Sequence, residues 1–123
     1  MDIDGTWINQ NGSTVSFETG TDGALSGSYR SKKGRTASGS SYPLTGHVNG
    51  ELAAFQVNWR DAETNLHAIT SFTGRLGRDA EGRAVLHTMW VLARQFEDEA
   101  RAKPTQVWNA FLTNADVFHR AAE

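Results

Sequence analysis

Residues 52–60, with the sequence LAAFQVNWR, place an apolar side chain at every second position. These alternating residues are Ala53, Phe55, Val57 and Trp59. Gln56 and Asn58 lie between them, on the opposite face. Because successive side chains of a β-strand point to opposite sides, this period of two predicts a strand with one buried face.

Similar short runs, rich in Thr, Val, Trp, Phe and Tyr, occur along the chain and predict further strands. Together they give eight strands, near residues 6–10, 13–18, 24–30, 42–48, 52–60, 67–76, 83–93 and 110–119. The pairs Asp22-Gly23, Asn49-Gly50 and Glu81-Gly82 fit hairpin turns, because glycine tolerates a positive φ. Eight short strands with brief connections predict an all-β chain, either an antiparallel up-and-down barrel or a sandwich. The charged stretch 94–103 predicts an exposed loop or one helical turn.

The composition narrows the classes of function. The length of 123 residues fits one globular domain. Twelve Lys and Arg residues against 14 Asp and Glu residues give a formal net charge of −2, so we expect no strong attraction to nucleic acid or an anionic membrane. No apolar run approaches the roughly 20 residues of a transmembrane helix. The absence of cysteine excludes disulfides and a cysteine nucleophile, and the four widely spaced histidines predict no metal site.

The predicted inward faces combine aromatic and polar side chains. Thr70, Thr88 and Asp116 fall in phase with apolar neighbours on their strands. A buried carboxylate is costly unless it is hydrogen-bonded, and an aromatic cavity with a few polar groups is typical of a small-ligand site. The outward face of residues 84–93 is also mostly apolar, with Val85, Met89 and Val91, and this favours a subunit interface.

Several short motifs occur in a fixed order. They are GTWINQNGS at 5–13, LSGSY at 25–29, YPLTG at 42–46, VNW at 57–59, TSFTG at 70–74, TMWVL at 88–92, Trp108, and DVF at 116–118. Their order resembles that of the avidin/streptavidin family over about residues 6–118. The resemblance implies an eight-stranded antiparallel up-and-down β-barrel, one domain over 1–123, that binds biotin with high affinity in its mouth.

The resemblance also implies roles for individual residues in binding biotin. Asn9, Ser13 and Tyr29 would donate hydrogen bonds to the urea oxygen. Ser31 and Asp116 would accept bonds from the urea N–H groups, and Thr70 would meet the ring sulfur. The apolar ring would lie among Trp59, Phe72, Trp90 and Leu92. Trp108 would cover the pocket of a neighbouring subunit, and we expect a homotetramer because the cysteines of dimeric members are missing.

The chain departs from the family at the ligand's carboxylate. Ala68 stands where many members have a serine that bonds the valerate. Lys33, Arg35 or a backbone N–H of the loop over residues 31–41, after the third strand, could hold the carboxylate instead. The resemblance implies a non-enzymatic protein without cofactors whose partners are biotin and copies of itself. It also implies a secreted or periplasmic location, although the opening MDID lacks the basic and apolar regions of a signal peptide.

Two other functions stay open from the residues. A lipocalin-like carrier of another small apolar ligand would share the barrel but would not need the three donors Asn9, Ser13 and Tyr29. An enzyme could use Asp116 as a general acid or base, but it would need a second titratable partner, and the sequence offers no obvious one.

Overall fold

The computed structural model describes residues 2–32 and 40–121, and these form a closed barrel. Its strands are β1 (Gly5–Asn9), β2 (Thr14–Thr19), β3 (Ala24–Arg30), β4 (Ser41–Asn49), β5 (Leu52–Arg60), β6 (Asn65–Arg78), β7 (Ala84–Arg94) and β8 (Phe111–Arg120). Each strand pairs antiparallel with the next, and β8 returns to pair with β1. The predicted eight-stranded up-and-down barrel is confirmed, and the sandwich is excluded.

The connections leave the barrel closed at one end and open at the other. Asp22-Gly23, Asn49-Gly50 and Glu81-Gly82 lie at the closed end, and their glycines have φ of 76°, 58° and 80°. This agrees with the predicted hairpin turns. At the open end lie the β1–β2 turn, the β5–β6 turn and the long connection from β7 to β8.

Aromatic packing fills the closed half of the barrel. Trp7 is fully buried, and its indole N–H donates to the Ile3 carbonyl at 2.8 Å. The Arg120 guanidinium lies 4.3 Å from the centre of the Trp7 ring, and donates to the carbonyls of Asp2 and Asp4. Farther along the axis, the rings of Phe55 and Phe72 stack at 4.6 Å. This plug closes the barrel and leaves its other half available for a cavity.

The connection between β7 and β8 is a loop rather than a helix through residues 95–103. An isolated bridge between Phe96 and Pro104 folds it back on itself. The helical turn lies later, as a 3₁₀ turn over Val107–Asn109. In the described part of the chain no helix is long and apolar enough to cross a membrane.

The outward apolar face of β7 is smaller than the sequence predicts. Met89 and Val91 are 67% and 47% exposed, but Val85 is only 2% exposed. The expectation that Val85 belongs to an exposed subunit interface is therefore wrong for this residue. Val85 pairs in register with Gly77 and His119 near the closed end. A period of two identifies an outward position, but it does not show which outward side chains the same chain covers.

Candidate functional site

A cavity of about 390 Å³ opens at the end of the barrel opposite Trp7. This volume is in the range of small-ligand pockets. The lining residues are Asn9, Asn11, Ser13, Tyr29, Ser31, Trp59, Leu66, Ala68, Thr70, Phe72, Trp90, Leu92, Arg94, Leu112 and Asp116. The structure thus brings together every residue predicted to contact the ligand, apart from Trp108. Lys33 and Arg35, predicted as alternatives for the carboxylate, are also not among the lining residues.

The β1–β2 turn fixes the orientation of Asn9. Its Oδ1 accepts hydrogen bonds from the backbone N–H groups of Asn11 and Ser13, at 3.0 and 2.9 Å. Gly12 gives the turn its shape with a φ of 86°, a conformation that favours glycine. With Oδ1 occupied by two donors, the amide nitrogen of Asn9 must face the cavity.

Two amide side chains hold the buried carboxylate of Asp116. Asn9 Nδ2 donates to Oδ2 at 3.1 Å, and Gln10 Nε2 donates to Oδ1 at 2.9 Å. Gln10 is held in turn by the N–H of Val117, which donates to its Oε1 at 3.0 Å. A carboxylate has about four acceptor positions, so Asp116 retains capacity for ligand N–H groups. Gln10 was not among the predicted site residues, although it lies inside the GTWINQNGS motif.

The phenol of Tyr29 is a hydrogen-bond donor that stays protonated at neutral pH. Burial raises its pKa to about 12, the negative charge of Asp116 adds to the rise, and the hydroxyl of Ser13 partly offsets it. Ser13 Oγ accepts a bond from the backbone N–H of Lys32 at 3.1 Å. A phenol O–H and a serine O–H therefore meet beside the amide of Asn9.

Thr70 is oriented by the wall of the cavity. The indole N–H of Trp59 donates to Thr70 Oγ1 at 2.8 Å. Because that oxygen already accepts a bond, its own hydrogen is directed elsewhere and can meet a weak acceptor in the cavity. Thr88, the other threonine of the predicted interior, instead donates to the backbone carbonyl of Asp116 at 3.0 Å, which is a structural bond.

Aromatic rings form the remaining walls. Tyr29 meets Trp59 edge to face at 5.4 Å between ring centres, and it stacks on Phe72 at 5.7 Å. Trp90 is partly buried and packs against the same cluster. These rings offer a flat apolar surface between the polar groups near Asp116 and the mouth.

Trp108 lies outside this cavity, on the 3₁₀ turn Val107–Asn109, and is 82% exposed. Its neighbour Val107 and the nearby Phe111 are also exposed. Within one chain, Trp108 does not line the pocket, and its predicted role requires a second chain.

The mouth contains residues that the sequence analysis did not assign. Lys33 and Arg35, considered there for the ligand's carboxylate, lie outside the described residues. Arg94 lines the mouth instead, with Leu66 and Leu112. The alternation of Leu86, Thr88, Trp90 and Leu92, extended by one step, would have identified Arg94. Over residues 2–32 and 40–121 no three histidine or acidic side chains are grouped to hold a metal ion.

Comparisons with known proteins agree with this geometry. A model described as the avidin family matches residues 1–121. Afifavidin from Afifella pfennigii is 34% identical over 94 residues, which are 76% of this chain but only 58% of that protein. The rhizavidin–biotin complex is similar in structure, with a TM-score of 0.79 and 28% identity, over 99% of this chain and 94% of rhizavidin. Apo shwanavidin has a TM-score of 0.81 and 25% identity, over 97% of this chain and 100% of shwanavidin.

The raised pKa of Tyr29 predicts a loss of stability at high pH. The folded pKa of about 12 exceeds the ordinary value of 10.0. The contribution of protonated Tyr29 to folding stability is therefore fully present below pH 10. It is lost as the pH rises through about 12, because the unfolded chain releases the proton first. We expect the free energy of unfolding to fall by at most about 2–3 kcal/mol more in the wild type than in Tyr29→Phe between these limits.

Urea denaturation of both proteins at pH 8, 10, 11 and 12 measures this difference. Because Tyr29→Phe keeps all other titrating groups, their contributions cancel in the comparison. Parallel pH profiles for the two proteins would show that Tyr29 does not titrate differently in the folded state.

Proposed function

Because this chain belongs to the avidin family, we propose that it binds biotin non-covalently and with high affinity in the cavity of its barrel. The urea ring enters first, toward Asp116, and the valerate tail points to the mouth. The observation that carries the proposal is the pairing of donors and acceptors around one small volume. Asn9, Ser13 and Tyr29 offer donors there, and Asp116 offers an acceptor.

The fixed orientations suit a cyclic urea. Its oxygen accepts from Asn9 Nδ2, the Ser13 hydroxyl and the Tyr29 hydroxyl, while one urea N–H donates to the Asp116 carboxylate. Ser31, at the cavity wall, accepts from the other N–H. The three donors converge on the urea oxygen and so polarise the urea. The hydrogen bond from the urea N–H to Asp116 is strengthened by the charge of the carboxylate.

The rest of biotin is matched by apolar groups and Thr70. The thioether ring lies among Trp59, Phe72, Trp90 and Leu92, and the Thr70 hydroxyl directs its hydrogen to the sulfur. A ligand without the urea would displace water from these donors and from Asp116 without replacing its hydrogen bonds, at a cost in free energy. This cost favours biotin over the general apolar ligand of a lipocalin-like carrier.

The proposed protein is a binder without cofactors rather than an enzyme. Asp116 is the one carboxyl group among the described residues that line the cavity. The raised pKa of Tyr29, about 12, makes this phenol a poor proton donor or acceptor at neutral pH. The family resemblance further supports a secreted or periplasmic location, with no nucleic acid or membrane as partner.

We further propose a homotetramer in which Trp108 covers the pocket of a neighbouring subunit. The support is the exposed apolar surface that one chain leaves uncovered. On β6, β7, β8 and the 3₁₀ turn the exposed large apolar side chains are Ile69, Met89, Val91, Val107, Trp108, Phe111 and Leu112. The exposed indole of Trp108, at the mouth end of the barrel, leaves a large apolar surface in water in a monomer. A neighbouring subunit could bury this surface.

Replacing the acceptor tests the assignment of Asp116. In Asp116→Ala we expect biotin affinity to fall by about 1.5–3 kcal/mol, or roughly 10- to 150-fold, because a charge-assisted bond is lost. Calorimetric titration with biotin measures the change. Glu81→Ala is the control, since it removes the same charge from an exposed turn at the closed end.

Folding of Asp116→Ala is checked by near-ultraviolet circular dichroism, because Asn9 and Gln10 lose a shared partner in this variant. Unchanged affinity in a folded Asp116→Ala protein would refute the assigned acceptor. Tight wild-type binding of long-chain fatty acids, with no competition from biotin, would favour the lipocalin-like alternative.

Replacing Trp108 tests the shared cover. We expect Trp108→Ala to release biotin about tenfold faster or more, because a large apolar side chain no longer covers the ligand. Exchange of labelled biotin against an excess of unlabelled biotin measures the rate. Trp108→Phe should release biotin at an intermediate rate, because its smaller ring still covers part of the ligand. An unchanged release rate in Trp108→Ala, in protein of unchanged oligomeric state, would contradict the covering role of Trp108.

A further inference from the structure

Arg94 is the one cation among the described residues that line the cavity, and it lies at the mouth. It follows Leu92 by two residues on β7, so the two share the inward face. The step carries the side chain roughly 7 Å farther from the ring-binding walls. The neighbouring rim residues Leu66, Ala68 and Leu112 have no charge.

The pairing of β6 with β7 sets Arg94 directly beside Ala68. Ala68 has no hydrogen-bonding side chain, so this part of the rim cannot bind a carboxylate through residue 68. Asp116, the negative charge of the cavity, lies beside Thr88 in the register of β7 and β8, six residues deeper along β7. An anionic end of a ligand is therefore favoured near Arg94 and disfavoured near Asp116.

The guanidinium of Arg94 is held in place but not fully used. Its Nε–H and an Nη2–H donate to the carbonyl of Asn109, at 3.2 and 3.1 Å. A guanidinium has five N–H donors, so three remain. Within residues 2–32 and 40–121, none of the ion pairs found involves Arg94. The side chain thus has a fixed position, an uncompensated charge and enough donors for a two-pronged contact.

We propose that Arg94 binds the terminal carboxylate of the ligand, in place of a hydroxyl at position 68. This inference rests on the proposed function, because it takes the cavity to hold a ligand with an apolar chain that ends in a carboxylate. The bonds to Asn109 hold the guanidinium before the ligand arrives, so little side-chain freedom is lost on binding. The same bonds join the ligand's tail to the 3₁₀ turn Val107–Asn109.

Comparison of a charged ligand with its neutral ester isolates this contact. The dissociation constants of biotin and biotin methyl ester are measured for the wild type, Arg94→Gln and Arg78→Gln. Arg78 is the matched control, since it donates to a turn carbonyl, that of Gly82 at 2.8 Å, at the closed end. We expect the wild type and Arg78→Gln to prefer biotin by about tenfold or more. Arg94→Gln should lose this preference, because its affinity for biotin falls by about tenfold more than its affinity for the ester.

Arg94→Lys keeps the charge but lacks the planar set of donors, and we expect it to retain part of the preference. It also keeps the test decisive if Arg94→Gln does not fold. If Arg94→Gln lost the same factor of affinity for biotin and for its methyl ester, the proposal would be overturned, and the role of Arg94 would be to hold the 3₁₀ turn. Equal wild-type affinity for acid and ester would also overturn it. Failure of the wild type to bind either ligand would instead contradict the proposed function itself.

Discussion

Burial of the Asp116 carboxylate is the constraint on which the candidate site depends. A charge removed from water is costly unless hydrogen bonds replace the lost solvent. Here the replacement comes from Asn9, the last residue of β1, and from Gln10 beside it, both more than one hundred residues away in sequence. The closing pair of strands β1 and β8 must therefore form in register before the carboxylate is satisfied. The fold and the polarity of the cavity are linked through this one contact.

The two ends of the barrel differ in the side chains that fill them, so that one end is packed and the other holds the cavity. Trp7 is fully buried at the closed end, with the Arg120 guanidinium over its ring. At the other end, long side chains give way to Ser13, Thr70 and Ala68, and a cavity remains. Its deep part is polar and carries a negative charge, its middle is aromatic, and its rim carries the charge of Arg94. A ligand that matches this order needs donors at one end, an apolar centre and an anion at the other.

Much of the fold could be predicted from the sequence. A period of two in 52–60 reproduces the bounds of β5, and the turn glycines fall where φ is positive. Local patterns succeed here because each strand pairs with its neighbour in the chain, so few long-range choices remain. The choice between a barrel and a sandwich depends on whether β1 pairs with β8. Local sequence patterns do not predict this pairing, because the two strands lie at opposite ends of the chain.

The site was predictable where a side chain's phase decides its direction, as for Thr70, Trp90 and Asp116. The role of Gln10 was not, because it depends on the position of Val117 in a distant strand. The burial of Val85 was also missed, because alternation does not show what covers an outward side chain. Arg94 was accessible to the same alternation, but its charge and the adjoining loop made it resemble a solvent-exposed residue.

The most direct test of this account is native mass spectrometry of the purified protein with and without excess biotin. We expect a discrete oligomer, most simply a tetramer, that gains the mass of one biotin for each chain. An oligomer that gains no mass, under conditions in which streptavidin does, would contradict the central claim that the donors around Asp116 recognise a cyclic urea.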